Sequence, residues 1–478
     1  MASRLRSRVL TLFAANTLTF IVVGLAFLAY SRILSPSQFG LYATALSIET
    51  ILTLVLDGGL KATIIKMEQA FTKSEEATIA LVMFTGALLL ILLLLAVQKP
   101  LLAWRPDITP DFRFIGIFVG LCLFFYPLIM LPTSRMEREL EYGHIAWIES
   151  VGMMLERGAP ALLLLWTRLG LYSFVWALLL SYVFKATILA GFHRMDLFSA
   201  SLLTLRRSIH LFREGAWIQF GTVSAVIRDN LHVLLLGPLF GKEWIGYYAW
   251  ALQVCFISSQ VFVQISARVS LPLLAQATDF KQRWKICLYQ VRFLTMLTVP
   301  ILCGVWLVLP SVDAHFFQGK WQPALALIPL LFVRMIPGLA TTPMAPLLMV
   351  ERKAFVFARA NLIWTVAELI VAIALLGLLG PIGLAWSYCI VVWIGLGIIL
   401  HSLGHRMTVL VRDVAAELFA RPSVIFAALG LLAVAGAVKF ARLPMHASSV
   451  AYPVSLLLVV CSYLLEPDLR QFLIHEKS

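Results

Sequence analysis

Phe39-Gly40-Leu41-Tyr42-Ala43-Thr44-Ala45-Leu46 opens one long apolar run, and Ile245-Gly246-Tyr247-Tyr248-Ala249-Trp250-Ala251-Leu252 opens another with the same G-x-Y-A-x-A-L pattern. A second pair of segments agrees: Gly170-Leu171-Tyr172-Ser173-Phe174-Val175-Trp176 against Gly380-Pro381-Ile382-Gly383-Leu384-Ala385-Trp386. The two offsets, 206 and 210 residues, are nearly equal, which points to a duplicated element order. Six apolar runs separate the copies, an even number, so both halves face the same way. Parallel repeats of this kind are related by an axis along the membrane normal, with the substrate site between them.

Composition places the chain in a bilayer. Of 478 residues, 61% are hydrophobic and 13% are charged, a balance no soluble chain of this length sustains. Apolar runs of about 20 residues, each able to cross a hydrocarbon core of about 30 Å as a helix, recur from end to end. They do not alternate, so a transmembrane β-barrel is excluded. The expected fold is an all-α polytopic membrane protein with about fourteen spans. Their approximate limits are 10–32, 40–64, 78–98, 113–133, 145–167, 171–192, 216–239, 245–270, 288–310, 323–349, 355–378, 381–401, 422–439 and 447–465. This gives a six-helix lobe over 1–192, a cytoplasmic linker over 193–215, a second six-helix lobe over 216–402 and an additional pair over 422–466. Within the linker, Ser199–Arg213 has the pattern of an interfacial amphipathic helix.

Charge placement sets orientation. Arg4, Arg6, Arg8, Arg135, Arg138, Arg206, Arg207, Arg213, Lys281, Arg283, Lys285 and Arg412 fall on one side. Fewer cations, among them Lys99, Arg168, Lys242, Lys320 and Arg442, fall on the other. The positive-inside rule therefore puts both termini in the cytoplasm. The net charge of +13 follows from this topology and from anionic inner-leaflet lipid, so no nucleic-acid partner is expected. The six cysteines are scattered without metal-ligand spacing, and neither a metal nor another cofactor is expected.

Ionisable groups at bilayer depth cost roughly 2.5–3.5 kcal/mol each, so the ones retained are candidates for function. Glu49, Thr53, Asp57 and Lys61 recur every four residues and form one stripe. Ser224, Arg228 and His232 repeat that spacing, with Asp229 about 100° away. Gln260, Gln264 and Arg268 follow on the next run. Glu149 and Glu156 stand seven apart with Arg157 adjacent, Asn361 and Glu368 share that spacing, and Arg334 adds a further cation. Arg228 and Arg334, with Lys61 and Arg157, suit an anionic head-group, because the guanidinium fork donates paired hydrogen bonds to phosphate. Asp57, Asp229, Glu156, Glu368 and Glu49 are candidates to carry a coupling proton or sodium ion. Gln260, Gln264 and His232 are candidate polar lining. The alternative for each charge is a structural ion pair such as Asp57–Lys61. Prolines at 300, 329, 337, 343 and 346 are expected to break or bend the ninth and tenth spans.

Residues 31–66, SRILSPSQFGLYATALSIETILTLVLDGGLKATIIK, resemble the opening of the polysaccharide-biosynthesis flippases. That pattern is R-x-L-x-P-x-x-F-G-x-Y followed by D-x-G-L, here filled by Arg32, Leu34, Pro36, Phe39, Gly40, Tyr42, Asp57, Gly59 and Leu60. IRDNLHVLLLGPLFGKEWIGYYAWA (227–251), LPLLAQ (271–276), FFQGKWQPA (316–324) and GPIGLAWSY (380–388) continue the resemblance in order. It implies the multidrug/oligosaccharidyl-lipid/polysaccharide superfamily, with two six-helix lobes forming a V around a central cavity. It also implies a non-enzymatic flippase that moves undecaprenyl-diphosphate-linked oligosaccharides across the bacterial inner membrane. The product is O-antigen, capsule or exopolysaccharide, made with other polysaccharide assembly proteins. The alternative within the superfamily is a multidrug or small-molecule cation antiporter. A membrane glycosyltransferase or polymerase needs a large extracytoplasmic loop, which this chain lacks.

Overall fold

A computed structural model of the chain describes residues 18–19, 21–66, 72–104, 111–139, 141–192, 217, 219–351, 353–404 and 407–419. The expected linker helix over 199–213 and the last two spans lie outside the described residues. The described elements are helical throughout. In chain order they are α1 (Ile21–Ile33), α2 (Pro36–Asp57), α3 (Leu60–Lys66), α4 (Lys73–Ala96), α5 (Gln98–Trp104), α6 (Phe112–Arg138), α7 (Tyr142–Met153), α8 (Ala159–Trp166) and α9 (Tyr172–Phe192). There follow α10 (Gln219–Asp229), α11 (Gly237–Phe240), α12 (Lys242–Gln276), α13 (Phe280–Phe316), α14 (Gln322–Leu325), α15 (Ile328–Val350), α16 (Ala354–Leu379), α17 (Pro381–Ser402) and α18 (Met407–Phe419). Among the described residues, eight helices are long and apolar enough to cross a membrane, or nine if the bent pair α10 and His232–Phe240 counts as one span. The chain is a multi-pass membrane protein.

The sequence places the helix ends through caps. Ser35 accepts the Gln38 N–H at 3.2 Å while the Gln38 side chain accepts the Ser35 N–H at 3.0 Å, and Pro36 starts α2. Thr72 and Glu75 build the same box for α4, and Asp279 caps α13 by accepting the Gln282 N–H at 2.7 Å.

Three expected spans are not straight helices. α2 ends at Asp57, because Gly58 takes the left-handed conformation (φ 54°) and Gly59 follows with φ 81°. Lys61 therefore leaves the Glu49–Thr53–Asp57 stripe and starts a separate short helix. Met154–Gly158 is a π-helical turn between α7 and α8, and it carries both Glu156 and Arg157. A second π turn, His232–Leu236, follows a 48° bend after Asp229, so His232 is off the line of Ser224 and Arg228. By contrast α13 runs unbroken through Pro300, and α15 through Pro337, Pro343 and Pro346. Neighbouring helices can satisfy the backbone groups a proline frees.

Two compact units emerge, Met1–Ala249 and Trp250–Ser478. The first is centred on aromatic contacts among Tyr30, Phe39, Tyr42 and Phe174, with Tyr42 and Phe174 rings 4.1 Å apart. In the second, α13, α15, α17 and α18 share one apolar core around Cys287, Met344, Leu347, Val391 and Leu410. Leu89, Ile370 and Leu378 are exposed, as lipid-facing positions require.

Candidate functional site

In the first unit, α2, the π turn and α9 bring an acid–base cluster together. Glu156 Oε2 lies 3.4 Å from Lys185 Nζ, and its Oε1 lies 3.6 Å from Arg157 Nε. The Lys185 stem crosses Gly152 so closely that a Cβ there would sit 2.0 Å from Lys185 Cε. Ser181 donates to the Gly152 carbonyl at 2.8 Å and fixes the same crossing. Glu49 is half-buried, accepts from Thr50 Oγ1 at 3.2 Å, and lies within electrostatic reach of Glu156, Arg157 and Lys185. The four groups balance formally, two acids against two bases. Lys185 was not among the residues expected from sequence, although a lysine in the apolar run 171–192 carries the same signal as the others.

Beside this cluster, a cavity of about 160 Å³ is lined by Lys61, Tyr126, Glu149 and Lys185 on its polar part and by Met130 and Ile145 on its apolar part. Lys61 pairs with Glu137 of α6 at 2.9 Å, an ion pair between helices in place of the alternative Asp57–Lys61 pair. Asp57 instead closes its own turn: it accepts the Gly59 N–H at 3.1 Å and the Tyr126 hydroxyl at 3.2 Å.

The remaining candidates separate. Ser224 and Arg228 on α10 are buried, whereas Asp229 is exposed. His232 is buried and stacks on Tyr248, with ring centroids 6.3 Å apart. Asn230, at the bend, accepts from Ser47 Oγ at 2.5 Å and ties α2 to it, and Gln219 donates to the Leu54 carbonyl nearby. In the second unit, Arg334 lies over the Tyr388 ring at 4.1 Å. Glu368 is buried and accepts from Ser387 at 2.9 Å, linking α16 to α17. Asn361 donates to Phe357 O of its own helix at 3.1 Å. Gln264 is half-buried, while the side chains of Gln260 and Arg268 lie outside the described residues.

A family model described as polysaccharide biosynthesis protein matches residues 29–326. Teichuronic acid biosynthesis protein TuaB of Bacillus subtilis is 23% identical over 299 residues, covering 61% of this chain and 59% of that protein. Succinoglycan biosynthesis transport protein ExoT of Rhizobium meliloti is 23% identical over 308 residues, covering 63% and 60%. The chain thus spans about 60% of the length of these two relatives. Among solved structures, the Lipid II flippase MurJ in an inward closed conformation superposes with a TM-score of 0.73 at 11% identity, over 98% of this chain and 99% of that one. An inward-facing multidrug resistance MATE family transporter of the MOP superfamily superposes at 0.59 and 14% identity, over 82% and 96%. At these identities the likeness is one of fold.

Proposed function

We propose that this chain, which belongs to the polysaccharide biosynthesis protein family, is a flippase that carries lipid-linked oligosaccharide units across the bacterial inner membrane by alternating access. The observation that carries the proposal is the family match over 29–326, a stretch that holds Lys61, Arg157 and Arg228, in a chain with the fold of a lipid-linked flippase. The cargo would be an undecaprenyl-diphosphate-linked glycan, and the moving bodies would be lobes over 1–192 and 216–402.

A diphosphate carries about two negative charges, and stripping its hydration without replacement is prohibitive. Arg228 and Arg334 are the cations best suited to replace that water, with Arg157 and Lys61 secondary. The stack on Tyr388 favours this role for Arg334, because it fixes the guanidinium plane in advance of binding. Among the acids, the geometry favours Glu49 as the coupling group. Asp57 is engaged in a turn, Glu156 touches two cations, Glu368 accepts from Ser387, and Asp229 is exposed.

The test is export of the repeat unit by cells whose own copy is deleted. Arg228→Ala and Arg334→Ala are each expected to stop export at matched protein levels, with Arg228→Lys partly active. Normal surface polysaccharide in both alanine variants would make these arginines structural and end the cationic-cavity mechanism.

A further inference from the structure

The helix α18 was not expected from sequence, and its acids are engaged with the protein. Asp413 accepts from Trp284 Nε1 of α13 at 3.0 Å. Glu417 is buried and takes a two-point pair from Arg292, at 2.9 Å from Nε and 3.2 Å from Nη2. Leu410, Val414 and Leu418 complete the docked face within the apolar core of the second unit. The neighbouring Glu351 is likewise held, at 2.6 Å from Arg283.

What stays outside is of one character. On α18 the exposed positions include Met407, Val409, Val411 and Arg412, and on the first turns of α13 Lys281 and Lys285 are exposed. Lys281 and Lys285 are four residues apart and flank Trp284, the residue that holds Asp413, one position from Arg412. Among the described residues beside them, the exposed carboxylate is Asp279, and it is committed to the α13 N-terminus. The patch is therefore net positive, with its acids withdrawn.

The placement restricts what can cover it. α17 is a spanning helix that ends at Ser402, and α18 begins at Met407, a gap that even extended chain bridges in less than about 20 Å. Lys353 Nζ donates to Leu403 O at 2.7 Å and anchors that turn. The apolar face of α18 is spent on the protein core, so what this short tether holds outward, beside the end of a spanning helix, is cationic, and cations at such a place suit a charged lipid surface. We propose that the outer flank of α18 and the first turns of α13 bind anionic phospholipid headgroups, with Lys281, Lys285 and Arg412 contacting phosphate.

The full chain in nanodiscs is irradiated with photoreactive phosphatidylglycerol or, separately, with photoreactive phosphatidylcholine, and adducts are mapped by mass spectrometry. Phosphatidylglycerol adducts are expected to concentrate on 407–412 and 281–289, with a preference over phosphatidylcholine of about fivefold for each cation engaged. The Lys281→Gln/Lys285→Gln/Arg412→Gln variant should lose the preference while keeping its melting midpoint, and Lys99→Gln should keep both. Equal yields from the two lipids, or a preference that survives in the triple variant, overturns the proposal. So does removal of the adducts by inorganic phosphate, which would make this a soluble-anion site.

Discussion

Glu156 and Glu49 are both acids at membrane depth, yet their surroundings assign them different work. Among the described residues Glu156 touches two cations, and its side chain and that of Lys185 are 22% and 15% exposed. Removing one partner of such a pair leaves a largely desolvated charge behind, at a cost of about 1–3 kcal/mol. Lys185→Met should therefore lower the thermal midpoint of the purified protein, and adding Glu156→Gln should recover much of the loss. A double variant as unstable as the single one would mean that Lys185 acts through packing on Gly152 rather than charge. Among the described residues Glu49 accepts from Thr50, a bond that an amide oxygen can also accept. Glu49→Gln keeps that acceptor, so it should lower the thermal midpoint less than Lys185→Met does. If Glu49 carries the coupling proton, the same substitution should abolish the pH dependence of flipping in reconstituted vesicles. Unaltered pH dependence would remove Glu49 from that role. The retained charges were legible one by one, because an ionisable residue in an apolar run is conspicuous. Their partners were not. Nothing in local spacing tells that Lys61 meets Glu137 or that Arg334 lies on Tyr388, since both contacts join helices distant in sequence.

At the scale of elements, hydrophobic runs located the spans but hid their interruptions. A 3.6-residue period carries no mark of a π turn, so in the sequence Met154–Gly158 and His232–Leu236 look like ordinary helix. The Gly58-Gly59 pair was a visible punctuation, and it ends α2 where Asp57 can cap the turn. α18 escaped because it is too short and too polar to read as a span, although Leu410, Val414 and Leu418 carry a helical period. The glycine of the repeated G-x-Y motif has a physical reason. A Cβ on Gly40 would lie 1.9 Å from the Lys242 carbonyl oxygen, and one on Gly246 would lie 1.9 Å from that of Pro36. The two backbones touch, as small residues allow membrane helices to do. Gly40→Ala or Gly246→Ala must push the helices apart, and overpacking of this kind costs about 1–3 kcal/mol despite alanine's better helix propensity. Gly397, inside α17, has nothing within 4 Å of where its Cβ would go. Gly397→Ala should be neutral or stabilising by up to about 1 kcal/mol. Equal midpoints for the Gly40 and Gly397 variants in a thermal-shift measurement would refute the close crossing.

For the whole molecule, the duplication read from two short matches gains support from that same crossing. Lys242 follows Pro36 by 206 residues and Gly246 follows Gly40 by 206, so the contact of Gly40 with Lys242 maps onto the contact of Gly246 with Pro36. A contact that exchanges with itself is what a local two-fold axis produces. The sidedness of the chain rests on a different argument, and α13 offers the sharpest test of it. Its 37 residues make a helix about 55 Å long, well beyond a hydrocarbon core of about 30 Å, so its two ends must emerge on opposite sides. Lys281 stands at the first end and is exposed, and His315 is exposed at the second. By the positive-inside rule, the excess of lysine and arginine around the first end, with Arg283, Lys285 and Arg412, would place it on the cytoplasmic side. Four native cysteines, Cys122, Cys255, Cys287 and Cys389, are buried, and Cys303 is partly so, which keeps their background reaction low. A membrane-impermeant thiol reagent added to intact cells should therefore label His315→Cys and Glu243→Cys. It should label Lys281→Cys and Arg412→Cys only after the membrane is permeabilised. The reverse pattern would invert the orientation while leaving the spans intact. Labelling of both α13 ends from one side would be the graver result, because α13 would then not cross the membrane at all.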